Sequence, residues 1–186
     1  MTKYILCGGV DKTDTFENRI VKIRDFYNEI ISGSSEKVKI LLCTFAKEDA
    51  DMSNSVDKVK KIFLSVSNKN VEFKISNNVN FQEQIIGADI VFFLGGRTEK
   101  LLNSINKYEN IKYLFENKIV AGESAGANIL CTESYSPRDQ KITKGLSLLP
   151  IKIIPHYKQE YQDIFLEQDG LERLPLKEYE YKVYYT

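Results

Sequence analysis

Residues Ala121 to Ile129 read AGESAGANI and follow the short apolar run KIV. Gly122 and Gly126 flank Ser124 at minus two and plus two, and Ala121, Ala125 and Ala127 keep the surroundings small. This is G-x-S-x-G, the pattern in which a serine on a sharp strand-to-helix turn lifts its hydroxyl clear of a sheet. The bend strains the backbone, so bulky neighbours would clash. The helix that follows aims its free N–H groups and its dipole at the reaction centre, which makes the Ala125 N–H one donor to a developing oxyanion. The plainer alternative is a tight turn in which Ser124 only caps the helix.

A serine hydroxyl is a poor nucleophile without a base. The one histidine of the chain is His156, in IKIIPHYK, at the end of a strand-like run. Pro155 before it fixes the exit from that strand and aims the imidazole. A third element, FFLGGRT, puts Gly95 and Gly96 after the most apolar run, where either N–H can serve as the second oxyanion donor. Thr98 is placed to cap the helix that follows. With a single histidine, no Cys/His metal site of standard spacing can be built, so the reading is metal-free.

These groups act together only if one architecture brings their segments to one edge. KYILCGG (3–9) predicts a strand closing on a glycine turn. FENRIVKIRDFYNEII predicts a helix, with Phe16, Ile20, Ile23, Phe26, Ile30 and Ile31 at 3–4 spacing, and SGSS breaks it. KVKILLCTFA reads as a buried strand and SVDKVKKIFLSVS as a helix with Val56, Val59, Ile62 and Phe63 on one face. VEFKI is a weaker strand, FQEQII a helical turn and ADIVFFLGG the most apolar strand. TEKLLNSI and IKYLFEN predict helices, KIVAGES a strand and AGANILC a helix. Beyond Leu130, a polar and turn-rich TESYSPRDQKITKG leads to a strand-like PIKIIP. A last helix over QEYQDIFLEQ and a terminal strand over EYEYKVYY, with period two, complete the chain.

Strand–helix alternation predicts a parallel sheet covered on both faces. The expected fold is α/β: one domain over residues 1–186, a three-layer αβα sandwich with a mostly parallel central sheet. Ligands of such sheets bind at the carboxyl ends of the strands. Those ends are Gly8-Gly9, CTFAKED, Gly95 to Thr98, and Gly122 to Ser124, mostly glycines and small residues that let backbone approach a substrate.

Lys+Arg and Asp+Glu both count 26, so the composition gives no basic surface for nucleic acid or an anionic membrane. A small uncharged or zwitterionic substrate suits it. The start, MTKYILCGG, carries no signal peptide, and no apolar run approaches a membrane span. Three cysteines, an odd count without paired spacing, point to reduced thiols and a cytoplasmic protein. Cys7 and Cys43 close apolar runs and read as buried hydrophobes. The tyrosine-rich tail YEYKVYY leaves a homodimer contact at an edge strand open.

Together GGRT (95–98), GESAGANI (122–129), Asp139 in SPRDQKI and GLSLLPIKIIPHY (145–157) resemble the peptidase E (aspartyl dipeptidase) and cyanophycinase family of serine peptidases. YILCGG and VKILLCTFA also look like that family's first two strands. The resemblance implies the class I glutamine amidotransferase-like, flavodoxin-like fold, with Ser124 as nucleophile, His156 as base and Asp139 as an aspartate implicated in activity. It implies removal of an N-terminal aspartate from a dipeptide or short peptide through an acyl-enzyme, with no metal or cofactor. Two features depart from the family's pattern. Arg97 stands where the glycine pair is usually followed by asparagine, and it could bind a substrate carboxylate or point to solvent. The chain also ends at EYKVYYT, where members normally continue to an acidic residue that orients the histidine. Asp139, Glu178 or Glu180 is left for that role, and Arg97, Arg138 and Lys158 are the cations available to read an acidic side chain.

Other readings exist. A catalytically weak or silent binding module fits a missing orienting acid. A serine esterase of the α/β-hydrolase type fits the order Ser124, Asp139, His156, although the serine–histidine interval is short for that fold and no HGGG-like segment occurs. Cysteine glutaminases share the fold but need cysteine where Ser124 stands.

Overall fold

In the computed structural model, which describes residues 1–167 and 169–186, the most apolar segments form the middle of a six-stranded sheet. Its order is β10-β1-β5-β4-β2-β3. The strands are β1 (Lys3–Cys7), β2 (Lys37–Cys43), β3 (Asn70–Ile75), β4 (Ile90–Phe93), β5 (Ile119–Glu123) and β10 (Tyr181–Tyr185). All neighbours are parallel except β10, which runs antiparallel to β1 at one edge. Every residue of β4 is buried, as expected of a strand covered on both faces.

Alternate residues feed two cores. Ile5, Cys7, Ile40, Leu42, Ile90, Phe92 and Ala121 face α1 (Phe16–Ile31) and α2 (Asp49–Val66). There the rings of Phe26, Tyr27, Phe63 and Phe92 meet at 4.6–6.0 Å between centroids. α1 starts where the Thr15 hydroxyl accepts the Asn18 N–H. Leu6, Leu41, Val91, Phe93 and Val120 face the opposite layer, formed by α3 (Phe81–Ile86), α4 (Thr98–Ile105) and α5 (Ala125–Leu130). The expected helix over IKYLFEN is a 3-10 helix, Ile111–Phe115, in the same layer.

The region read as polar and turn-rich supplies two strands, β6 (Cys131–Ser136) and β7 (Lys141–Lys144), of a second sheet. With β8 (Leu149–Ile154) and β9 (Glu172–Pro175), that sheet has the order β7-β6-β8-β9. Ile151, Ile153 and Leu174 join the core around α5. The last helix predicted over QEYQDIFLEQ does not form. Only Gln159–Tyr161 makes a 3-10 turn, and Gln168 lies outside the described residues. Arg173 of β9 takes the carbonyls of Tyr161, Gln162 and Ile164, the acceptors a continuing helix would have used.

β1 and β5 are neighbours, yet α1 and α5 leave them toward opposite faces. A crevice therefore opens at their carboxyl ends. Among the described residues, no helix is long and apolar enough to cross a membrane, and no three His, Cys, Asp or Glu residues come together as a metal cluster.

Cys7, Cys43 and Cys131 are free and fully buried. Burial pushes the Cys43 thiol up to about 12 and also raises Cys7 and Cys131. Native protein at about pH 8 should leave all three thiols unreacted with Ellman's reagent, and guanidinium-denatured protein should react at three. A rapidly reacting thiol in the native protein would contradict this packing.

Candidate active site

Between the end of β5 and the start of α5 stands one residue, Ser124, at φ 51° and ψ −107°. A non-glycine residue in such a region costs about 1–3 kcal/mol and persists only when its surroundings impose it. Here the Ser124 N–H donates to the Cys7 carbonyl at 3.0 Å, and the Ser124 carbonyl accepts the Asn128 N–H at 2.9 Å. The flanking glycines are needed because three backbones touch. A Cβ on Gly122 would lie 2.3 Å from the Gly126 carbonyl carbon, and one on Gly126 would lie 2.1 Å from the Phe93 oxygen. The Ser124 side chain makes no capping bond to α5, so its hydroxyl is free for another partner.

That partner is His156. Its Nε2 lies 3.0 Å from Ser124 Oγ, and its Nδ1 lies 3.2 Å from Glu178 Oε1. An ionised carboxylate only accepts, so Nδ1 carries the hydrogen and Nε2 is left to accept from the serine hydroxyl. His156 follows β8 and Pro155, also at positive φ (51°), with its N–H held by the Gly8 carbonyl at 3.0 Å. Glu178 sits in the β9–β10 turn, which folds back onto the same glycines. The Tyr179 N–H donates to the Gly9 carbonyl at 2.7 Å, and the Gly8 N–H donates to the Glu180 carbonyl at 2.9 Å. Neither glycine has room for a side chain. A Cβ on Gly8 would lie 2.2 Å from the Lys177 oxygen, and one on Gly9 would lie 2.4 Å from His156 Cε1.

Asp139 is not the partner of the imidazole. It lies in the β6–β7 turn, where its carboxylate accepts the Ser136 hydroxyl at 2.9 Å and its N–H donates back to Ser136 Oγ. The carboxylate is held locally and does not reach the imidazole. Glu180 is also engaged, accepting the Lys177 N–H. Arg97 departs from the expectation of a substrate contact too. It reaches Glu48 at 3.5 Å and shares a separate shallow cavity with Asp139, while its N–H donates to the Ala46 carbonyl. Thr98 opens α4 without capping it, and its buried hydroxyl accepts the Asn128 side-chain amide at 3.0 Å. Lys158 does not line the cavity around Ser124, whereas Arg138 does.

Gly95 and Gly96 border that cavity, and a Cβ on Gly95 would stand 3.4 Å from Ser124 Cβ. Among the described residues, the N–H groups of Gly95, Gly96 and Ala125 have no protein acceptor. Free donors beside a serine hydroxyl can hold an oxyanion. The cavity encloses about 650 Å³ and is bordered by Lys12, Arg19, Lys47 and Arg138, against two carboxylates, Glu123 and Glu178. Burial lowers the pKa of Lys47 and raises that of Glu123, the latter partly opposed by Lys47 and His156. Asn128 is buried on the same wall, with an unpartnered Oδ1.

Sequence reasoning missed Lys12, Arg19, Lys47, Glu123 and Asn128 as cavity residues. Lys47 lay in a strand end already marked, and Glu123 and Asn128 lay within the elbow itself. Arg19 gave no signal beyond its place on the polar side of α1.

The sequence profile of peptidase family S51 matches residues 5–178. Two solved structures are similar in fold. A peptidase from an acI-B1 Actinobacterium has a TM-score of 0.60 and 18% identity, covering 99% of this chain and 83% of its own. A candidate peptidase E protein from Listeria monocytogenes EGD-e has a TM-score of 0.66 and 16% identity, covering 99% of this chain and 97% of its own. No curated protein matches the chain.

The close packing of Gly9 on the imidazole predicts that Gly9→Ala displaces His156. The chain has one histidine, so its ring gives a single set of NMR signals. These should move in Gly9→Ala while far-UV circular dichroism stays parental. Gly33→Ala, with nothing within 4 Å of the new methyl, should leave them in place. An unmoved imidazole in Gly9→Ala would mean the contact does not position the ring.

Proposed function

The chain belongs to peptidase family S51, and on that premise we propose that it is a serine peptidase removing an N-terminal aspartate from dipeptides and short peptides. The observation that carries this reading is the continuous contact from Glu178 through His156 to Ser124, beside the free N–H groups of Gly95, Gly96 and Ala125.

In the proposed reaction, Ser124 Oγ attacks the scissile carbonyl as its proton passes to His156 Nε2. Glu178 holds the Nδ1–H tautomer and stabilises the imidazolium that forms. The carbonyl oxygen, now negative, is received by the Ala125 N–H and a glycine N–H of the Gly95-Gly96 pair. His156 then gives the proton to the leaving amine, and the acyl group remains on Ser124. Water enters, loses a proton to His156 and attacks the ester carbonyl. Release of the acid restores the hydroxyl.

The preference for an acidic residue is supported by the four cations around the cavity, whose positive field favours substrate carboxylates. A volume near 650 Å³ suits a short peptide. Arg138, Lys47, Arg19 and Lys12 are the groups available to the aspartyl side chain and the peptide's carboxyl terminus, and Arg97 is not among them.

Aspartyl p-nitroanilide tests the reading. The parent should release p-nitroaniline from it and not from the leucyl analogue, and Ser124→Ala should abolish release. Glu178→Gln should lower kcat by about 10⁴-fold, the scale on which an imidazole loses its correct tautomer. Asp139→Asn should stay near the parental rate. Equal turnover by parent and Ser124→Ala would sink the proposal, and a large loss in Asp139→Asn with none in Glu178→Gln would reassign the orienting acid.

A further inference from the structure

Glu123 occupies the variable position of the elbow, directly before the nucleophile, and the reaction above gives it no task. Its carboxylate lines the cavity, yet among the described residues it forms no hydrogen bond and no ion pair. The residue is half-buried, and polar groups withdrawn from water usually find a partner. Lys47 and Arg19 border the same space without coming within ion-pair distance of it. Glu178, the other carboxylate of the cavity, already faces His156. One anionic position is therefore open beside the serine.

Its place is informative. A Cβ built on Gly95 would lie 3.4 Å from Glu123 Oε1 and 3.4 Å from Ser124 Cβ, so no more than twice that distance separates the two atoms. In a peptide whose first residue supplies the scissile carbonyl, the α-nitrogen is two bonds from the carbonyl carbon, about 2.5 Å away. That carbon sits about 3–3.5 Å from the attacking oxygen before bond formation. A terminal ammonium would then fall within reach of Glu123 Oε1. We propose that the Glu123 carboxylate receives the free α-ammonium of the substrate's first residue.

This inference rests on the serine peptidase reading for where the substrate carbonyl sits, while the binding it predicts can be measured without turnover. The surrounding cations take the substrate's carboxylates, and Glu123 takes its one positive end. An acetylated terminus would bring no positive charge to Glu123 and would be rejected. Burial raises the pKa of Glu123, and a bound ammonium would favour its ionised form.

Two measurements test it. In the first, kcat/KM is compared for aspartyl p-nitroanilide and its N-acetyl derivative. The parent should favour the free amine by about 10²-fold, and Glu123→Gln should bring the ratio close to one. Equal handling of both substrates by the parent, or an undiminished ratio in the variant, overturns the proposal. In the second, binding of L-aspartic acid α-amide and its N-acetyl form is followed calorimetrically in Ser124→Ala protein, with and without Glu123→Gln. The free amine should bind at least about tenfold tighter, and only while Glu123 is present. Binding that ignores acetylation overturns the proposal. Selective amine binding by a protein with no turnover would sustain it and remove the peptidase reading instead.

Discussion

Everything in the site hangs on the backbone of Cys7, Gly8 and Gly9, at the carboxyl end of β1. The Cys7 carbonyl holds the N–H of Ser124, the Gly8 carbonyl holds the N–H of His156, and the Gly9 carbonyl holds the N–H of Tyr179, next to Glu178. Three segments far apart in sequence are thus fastened by consecutive carbonyls of one strand end. The spacing of those carbonyls is set by covalent geometry, so the distances between serine, imidazole and carboxylate are set with it. The constraint also explains why both following residues are glycine: the segments it gathers come too close for a side chain.

Such an arrangement is strained, and the strain is concentrated where it positions chemistry. Ser124, His156 and Tyr179 all have positive φ. At about 1–3 kcal/mol each, these conformations would relax in an isolated loop. They hold because each is anchored by a backbone hydrogen bond to a strand buried on both faces. The Tyr179 side chain adds a clamp, accepting the Asp11 N–H and donating to Asp14 across the loop that leads to α1. β10 continues the restraint by pairing with β1 along its whole length. The terminal strand thus fixes the turn that carries Glu178 as well as covering an edge of the sheet.

What the sequence revealed follows from how local each feature is. G-x-S-x-G was legible because its glycines answer contacts within a few residues and one adjacent strand. His156 was legible as the one histidine, behind a proline at a strand end. The central strands were legible because burial on both faces leaves continuous apolar runs. Features that depend on distant chain were less so. Glu178 was one of three candidate carboxylates, since its contact with His156 requires the β9–β10 turn to fold back on Gly8-Gly9. Asp139 stood at a suggestive position, but Ser136 three residues away captures it. The failed last helix turned on Arg173, whose claim on three carbonyls cannot be read from the helical segment. β6 and β7 were hidden because they are partly exposed and lack a clear apolar alternation.

Unsatisfied polar groups give an independent view of what the cavity is for. Among the described residues, two buried side-chain atoms lack a hydrogen-bond partner, Arg19 Nε and Asn128 Oδ1, and both residues border the space above Ser124. Leaving a buried donor or acceptor unpaired costs about 1–3 kcal/mol. The folded chain concentrates that cost in one place instead of scattering it through the core. An orphaned donor on a cation and an orphaned acceptor, beside an unpaired carboxylate, together complement a molecule that carries both signs of charge and a peptide group. An apolar lining would have been more stable and would have bound nothing of this kind. The cost of leaving these groups unpaired and their capacity to hold a charged ligand have the same physical origin.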